Sequence, residues 1–479
     1  MNNPTHVPFR RMLLVLGLGL TIQFSLVLLA GDIGVFFDEG MYVARAENFL
    51  YRTHYDGWLF APGYSGVIAL FKWLCVRDLQ CLRIFQMVSS CIVGYFIMRI
   101  SALATGPRSA ILSGYIWACY LPLAMYFHRL WPEALFICAF VPSLYFLLLS
   151  KQESCTPAQR RAFSILAGVM LGMACYLKES ATFLPVVLAF WLSYSKPRRT
   201  KNALAFVLAV AVTLAPLVAW HHHRYGEFLL TGGTLPVNID VGLNGRYYNY
   251  DYNQIIEVYS HAGKDFDAHL NKTFSEYGPG WSPLVQGSVG EQTVWNLREA
   301  SLYAASHKVE FALTRIKKIA DFNTPLSFLV RDIPFAYSGE LSSPFVRRVV
   351  VVICLLSSCL LLLLGWLGFA RLYGTSGWSL LSCVVIYFCL TSLLNGMSRS
   401  RVPIEPLFMV LASGIWFRRS AHPMAAMDEQ GRILGLHRPR RWQSVVVVLG
   451  LLAFWAINAR EIWEVTKLAW WGDEYRISE

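Results

Sequence analysis

Long apolar runs, repeated along most of the chain and separated by short basic segments, constrain this sequence more than anything else in it. They fall at roughly 12–31, 82–104, 109–127, 132–150, 162–178, 180–195, 202–220, 346–370, 377–394, 402–417 and 443–459. A helix rises about 1.5 Å per residue, so runs near 20 residues match the ~30 Å hydrocarbon core of a bilayer. Within that core only a helix satisfies its own peptide groups along a single segment. The expected fold is therefore an all-α polytopic membrane protein of about eleven spans. An apolar content of 55% and a mean hydropathy of +0.43 agree, and 16 Trp with 23 Tyr suit aromatic belts at two interfaces.

The net charge of +12 does not indicate nucleic acid, because the basic residues cluster in the short segments between runs. The segment 61–76 decides the topology. Counted as a crossing, it would move Arg160-Arg161, the 196–199 cluster and the 438–441 cluster to the outside. Counted as a juxtamembrane or re-entrant helix, it leaves them inside with Arg10-Arg11 and Arg108, as the positive-inside bias requires. The second option organises the chain into an N-terminal transmembrane module over 1–220, with a first outer loop at 32–81. A small extracytoplasmic domain follows at 221–345, in which 294–320 reads as helix. A C-terminal transmembrane module covers 346–479, with a basic inner loop at 418–442. Most of the 11 Cys lie in or beside apolar runs, and none lies between 221 and 345, so neither a disulfide framework nor a Cys-based zinc site follows.

This topology gathers charge on one face. Asp38-Glu39 follows the first span and opens an amphipathic stretch in which Asp38, Tyr42 and Arg45 share one helical face. His128-Arg129-Leu130-Trp131-Pro132-Glu133 opens a later span, Lys178-Glu179-Ser180 turns between two spans, and Arg399-Ser400-Arg401 precedes another. Each has a plain explanation: a capped helix start for Asp38-Glu39 and Pro132-Glu133, and snorkelling for Lys178. Two arginines on the outer side fit a plain explanation least well, and forked guanidinium groups suit a phosphate. In extended backbone, residues 399 and 401 point the same way, which would let both reach one phosphate. The convergence of these clusters marks an active or binding site. His221-His222-His223 reads as a solvated face, since adjacent histidines on a helix cannot all face one ion.

In order, these residues resemble the GT-C superfamily of polytopic glycosyltransferases, near the bacterial lipid A aminoarabinose transferase and protein O-mannosyltransferase branch. The resemblance rests on Asp38-Glu39 with Tyr42 and Asn48-Phe49-Leu50, Ala61-Pro62-Gly63-Tyr64, Pro132-Glu133, Leu177-Lys178, His223-Arg224-Tyr225-Gly226 and Arg399-Ser400-Arg401-Val402-Pro403. Two motifs depart from the family's pattern: Glu179 is extra in the 177–180 turn, which also lacks a Gly, and the Arg-Tyr-Arg motif has lost its Tyr. The resemblance implies transfer of a hexosyl or pentosyl group from a polyprenyl-phosphate sugar to an acceptor hydroxyl at the outer face. It implies Asp38 as base, with Glu39 and Glu133 as further catalytic carboxylates and Lys178, Arg399 and Arg401 as substrate-binding residues; their place in the outer-face clusters adds Tyr42, Arg45, His128 and Arg129 as substrate-binding residues. The expected partners are the donor, a glycan, lipid or protein acceptor, and the bilayer, in a bacterial plasma membrane with the site facing outward. No cofactor is certain; a divalent metal ion stays open, because His221–His223 and Glu133 offer donors without a recognisable ligand spacing. Two alternatives stand beside it: a flippase for a lipid-linked saccharide, which would place polar groups near mid-bilayer, and a polysaccharide polymerase or ligase using Arg224, Arg246 and Arg298 of the large loop.

Overall fold

A computed structural model describes residues 7–31, 33–35, 38–51, 61–75, 79–194, 200–243, 288–326, 339–372, 377–394, 398–417 and 441–471. Among these the chain is helical, with no strand. The helices are α1 (Phe9–Ala30), α2 (Asp38–Tyr51), α3 (Pro62–Leu74), α4 (Gln80–Ala104), α5 (Pro107–Cys119), α6 (Leu121–Tyr126), α7 (Pro132–Ser150), α8 (Pro157–Leu177), α9 (Leu184–Tyr194) and α10 (Thr200–Tyr225). They continue as α11 (Leu235–Leu243), α12 (Val289–Ser306), α13 (Lys308–Phe322), α14 (Pro344–Arg371), α15 (Trp378–Ser392), α16 (Glu405–Phe417), α17 (Arg441–Ile457) and α18 (Ala459–Trp471). Short 3-10 turns lie at Glu179–Ala181, Glu340–Ser342 and Ser398–Ile404.

Six helices, α1, α4, α7, α8, α10 and α14, are long and apolar enough to cross a membrane, and helices occupy each of the other apolar runs. Two elements differ from the sequence expectation. The run at 109–127 is broken at Tyr120, where Pro122 enters α6 and cannot donate to the preceding turn. The helix expected over 294–320 divides at His307, where the Ser306 hydroxyl bonds back to Leu302 O at 2.8 Å and competes with the regular ladder.

α7 lies at the centre of the bundle: 83% of its apolar window is buried, against 28% for α1. A helix apolar on every side belongs in such a position. It packs on α8, which packs in turn on α10 through Gly168 and Gly172. A Cβ at Gly168 would meet Phe206 O at 2.5 Å, and one at Gly172 would meet Thr213 Cβ at 2.7 Å. This small-xxx-small spacing lets two backbones approach where lipid supplies no hydrophobic drive. α3 is not among the six long apolar helices. Its start lies against Tyr176 near the end of α8, and Arg83, beyond its other end, donates to Gly34 O just past α1. At about 1.5 Å per residue it also falls short of a ~30 Å core.

Candidate active site

The charged ends of α2, α7 and α8 meet the 398–404 turn at one end of the bundle. At their centre is Glu133, in the first turn of α7 beside Pro132 at N1, a favoured arrangement for both residues at a helix start. Its carboxylate is fully buried. Oε1 accepts from Lys178 Nζ at 2.7 Å and from Arg399 Nε, and Oε2 accepts from Arg399 Nη2 at 3.2 Å. Arg399 also lies over the Trp131 ring, 4.2 Å from its centroid. The side chains of Lys178 and Arg399 keep 19% and 14% of their exposure while Glu133 keeps none, so the two cations are the more open members of the cluster. Lys178 reaches Glu133 because its backbone is extended (φ −149°, ψ 130°), ending α8 and sending successive side chains opposite ways.

A second buried pair brings the first loop to this point. Glu39 Oε1 accepts from Arg129 Nε at 2.8 Å and from the Leu130 N–H at 2.6 Å, with both side chains fully buried. Arg129 also lies 5.5 Å from the Trp131 centroid, so Trp131 sits between the Glu39 and Glu133 clusters. Asp38, the first residue of α2, precedes Glu39 directly; its side chain lies outside the described residues. Tyr42 and Arg45 are buried on one face of α2, as their spacing predicts. Tyr42 packs edge-on against Tyr64 at 5.5 Å, and Arg45 lies over the Phe49 ring.

Two residues outside the expected site set support this core, Tyr64 from the 61–64 motif and Gln86. Tyr64 donates to Gln86 Oε1 at 2.6 Å, and Gln86 Nε2 donates to Phe127 O and Arg129 O at 3.1 and 2.8 Å. The amide thus clamps the turn that presents Arg129 and Trp131. Burial, with the negative charges of Glu39 and Glu133 nearby, holds the Tyr64 phenol well above its ordinary value, so it stays a donor. A glutamine inside the first turns of an apolar run is the available signal for Gln86.

The remaining expected site residues are placed differently. His128 is buried, and desolvation with Arg83 nearby lowers its imidazole to about 3, so it is neutral at pH 7. Glu179 turns away from Lys178. Its Oε2 accepts from the Thr234 N–H at 3.2 Å and from the Thr234 hydroxyl, tying the 178–182 turn to the start of α11. Burial pushes this carboxyl up to about 7, against the opposing bonds from Thr234 and the nearby Arg45 charge. Arg399 and Arg401 do not point the same way, contrary to the expectation from extended backbone. The turn is 3-10, and Arg401 reaches instead to Phe322 O, Thr324 O and Glu405. Pro403 within it disfavours a regular α ladder. Among the described residues, no group of three or more His, Cys, Asp or Glu is arranged to hold a metal ion. His221 Nδ1 pairs with Leu229 O and His222 stacks on Phe228, while Arg246 lies outside the described residues.

Residues 61–221, well under half of the chain, match the family described as dolichyl-phosphate-mannose-protein mannosyltransferase. The matched stretch includes Tyr64, Gln86, Glu133 and Lys178 but neither Asp38 nor Arg399. No curated protein matches the chain. Among solved structures it is similar to the archaeal oligosaccharyltransferase AglB from Archaeoglobus fulgidus in complex with an inhibitory peptide and a dolichol-phosphate. That likeness has a TM-score of 0.50 at 13% identity and covers 96% of this chain, which spans 56% of the AglB chain. A weaker likeness, TM-score 0.38 at 13% identity, is to ArnT from Cupriavidus metallidurans bound to undecaprenyl phosphate, over 85% of this chain and 77% of that one. The chain is a polytopic, all-helical membrane protein with a GT-C-like fold.

Proposed function

We propose that this protein is a membrane glycosyltransferase that moves a hexosyl or pentosyl group from a polyprenyl-phosphate donor to an acceptor hydroxyl at the outer face. The observation that carries this reading is the pairing of Lys178 and Arg399 on a fully buried Glu133, with both cations partly open. Two oriented cations at one spot suit the charge that develops on a departing lipid phosphate. The family matched over 61–221 is named for a dolichyl-phosphate sugar, and AglB was solved with a dolichol-phosphate. An apolar groove of about 360 Å³ between Phe49, Pro62, Gly63, Tyr176, Leu217 and Trp220 lies two residues along the chain from Lys178 and suits part of an isoprenoid tail.

In this mechanism the acceptor oxygen attacks the anomeric carbon as the bond to the phosphate oxygen breaks. The bonding pair leaves with the phosphate, and the acceptor proton passes to Asp38. One displacement inverts the anomeric centre, and the phosphate needs charge stabilisation rather than a proton. Glu133, saturated by its cation partners, orients them in this reading, and Glu39, next to Asp38 in the chain, holds the start of α2 against Arg129 and Leu130. The protein then sits in a bacterial plasma membrane with this end outward. Transfer from a purified polyprenyl-phosphate sugar tests the assignment. Asp38→Asn keeps the volume but is no base at neutral pH, so it should insert and fold yet transfer nothing. Full transfer by a well-folded Asp38→Asn variant removes Asp38 as the base.

A further inference from the structure

Arg401 lies two residues from Arg399, yet its contacts are of another kind. It is 1% exposed, and its Nη1 donates at 2.7 Å to both Phe322 O and Thr324 O. These carbonyls belong to the C-terminal end of α13, where the ladder leaves acceptors unused and a guanidinium is a natural partner. Its Nε donates at 3.2 Å to Glu405 Oε1, which also accepts from Tyr120 OH at 3.2 Å. The abutment is itself fixed. Asn323, between the two carbonyls, accepts from Trp366 Nε1 of α14 at 2.8 Å through its side chain and from Trp455 Nε1 of α17 at 2.9 Å through its backbone. The buried Arg401 side chain therefore ties the 398–404 turn to the end of α13, which Asn323 in turn holds to α14 and α17.

We infer that Arg401 is a positioning residue for Arg399: it anchors the 3-10 turn so that Arg399 lies on Glu133 and Trp131. A 3-10 helix advances about 120° per residue, so side chains two apart diverge by a third of a turn. With Arg401 held in the core, Arg399 is directed to the opposite neighbour, the site. Pro403 removes one backbone donor from the turn, which leaves its geometry more dependent on side-chain anchors. A buried ion pair is a poor source of net stability, because desolvation offsets the attraction, whereas its geometric demands are strict. The inference rests on the donor-phosphate reading of Arg399 for its functional consequence, and on geometry alone for its structural one.

The test compares Arg399→Gln, Arg401→Gln and the double variant in lipid nanodiscs, with undecaprenyl phosphate as the probe. Arg401→Gln should weaken binding by about tenfold, the double variant should be no weaker than Arg399→Gln alone, and a cryo-EM structure of Arg401→Gln should show Arg399 displaced from Glu133. Additive losses would overturn the inference, since they mean that Arg401 meets the phosphate itself. Arg399 remaining on Glu133 in that structure would overturn it as well. If Arg399→Gln binds the probe like wild type, the donor reading fails, and the structure still decides the positioning role. Should Arg401→Gln not assemble, Arg401→Lys keeps the buried charge, gives up one carbonyl bond and carries the same readouts.

Discussion

Replacing Arg399 by Lys isolates geometry from charge. Both side chains are cationic, but the guanidinium reaches both oxygens of Glu133 and lies 4.2 Å from the centroid of Trp131. An ammonium keeps one strong contact and loses the Nη2–Oε2 bond, a charge-assisted interaction of about 1.5 kcal/mol at the weak end of its range, given its 3.2 Å length. Stacking on Trp131 contributes a further ~0.5–1 kcal/mol. Together these remove on the order of 2 kcal/mol of restraint on the cation that the proposed function assigns to the donor, equivalent to roughly thirtyfold in binding. Donor KM in Arg399→Lys should therefore rise by about ten- to a hundredfold, with acceptor KM little changed. Initial rates with purified lipid-linked sugar, titrated separately in donor and acceptor, measure this. A donor KM within about twofold of wild type would refute the reasoning and place the phosphate elsewhere.

Two further outcomes follow from the buried carboxylates. Glu39→Gln breaks an ion pair buried on both sides and should cost about 3 kcal/mol of stability; a Glu39→Leu/Arg129→Leu double variant should be less destabilised than either single, as read by thermal unfolding in detergent. A Glu39→Gln protein as stable as wild type but inactive would instead make Glu39 a reacting group. Glu179 has a folded value of about 7 against an ordinary 4.5, so the folded state binds the extra proton between them. Its contribution is favourable below pH 4.5, is lost as pH rises towards 7 and is flat above, a change on the order of 3 kcal/mol. Stability measured across this window should fall less steeply in Glu179→Gln than in wild type, and parallel curves would mean that the carboxyl is not perturbed.

Much of the architecture was legible in the residues. The apolar runs are the positions of the helices, because a bilayer leaves a spanning segment no other way to satisfy its peptide groups. The juxtamembrane reading of 61–76 rests on the basic clusters, and the structure adds that α3 starts against Tyr176 and is followed by Arg83 bonding Gly34 O. The meeting of Glu133, Lys178 and Arg399 was foreshadowed by topology, since all three lie at ends of runs on one side. Pairing was not legible. That Glu39 bonds Arg129, that Glu179 turns to Thr234 and that Gln86 clamps the 127–129 turn depend on helices far apart in sequence coming within 3 Å or so. The divergence of Arg399 from Arg401 was hidden for a similar reason. Whether a short polar turn is extended or 3-10 is decided by what its buried side chain finds to bond, and Arg401 finds the end of α13, a partner 77 and 79 residues away that no local pattern reveals.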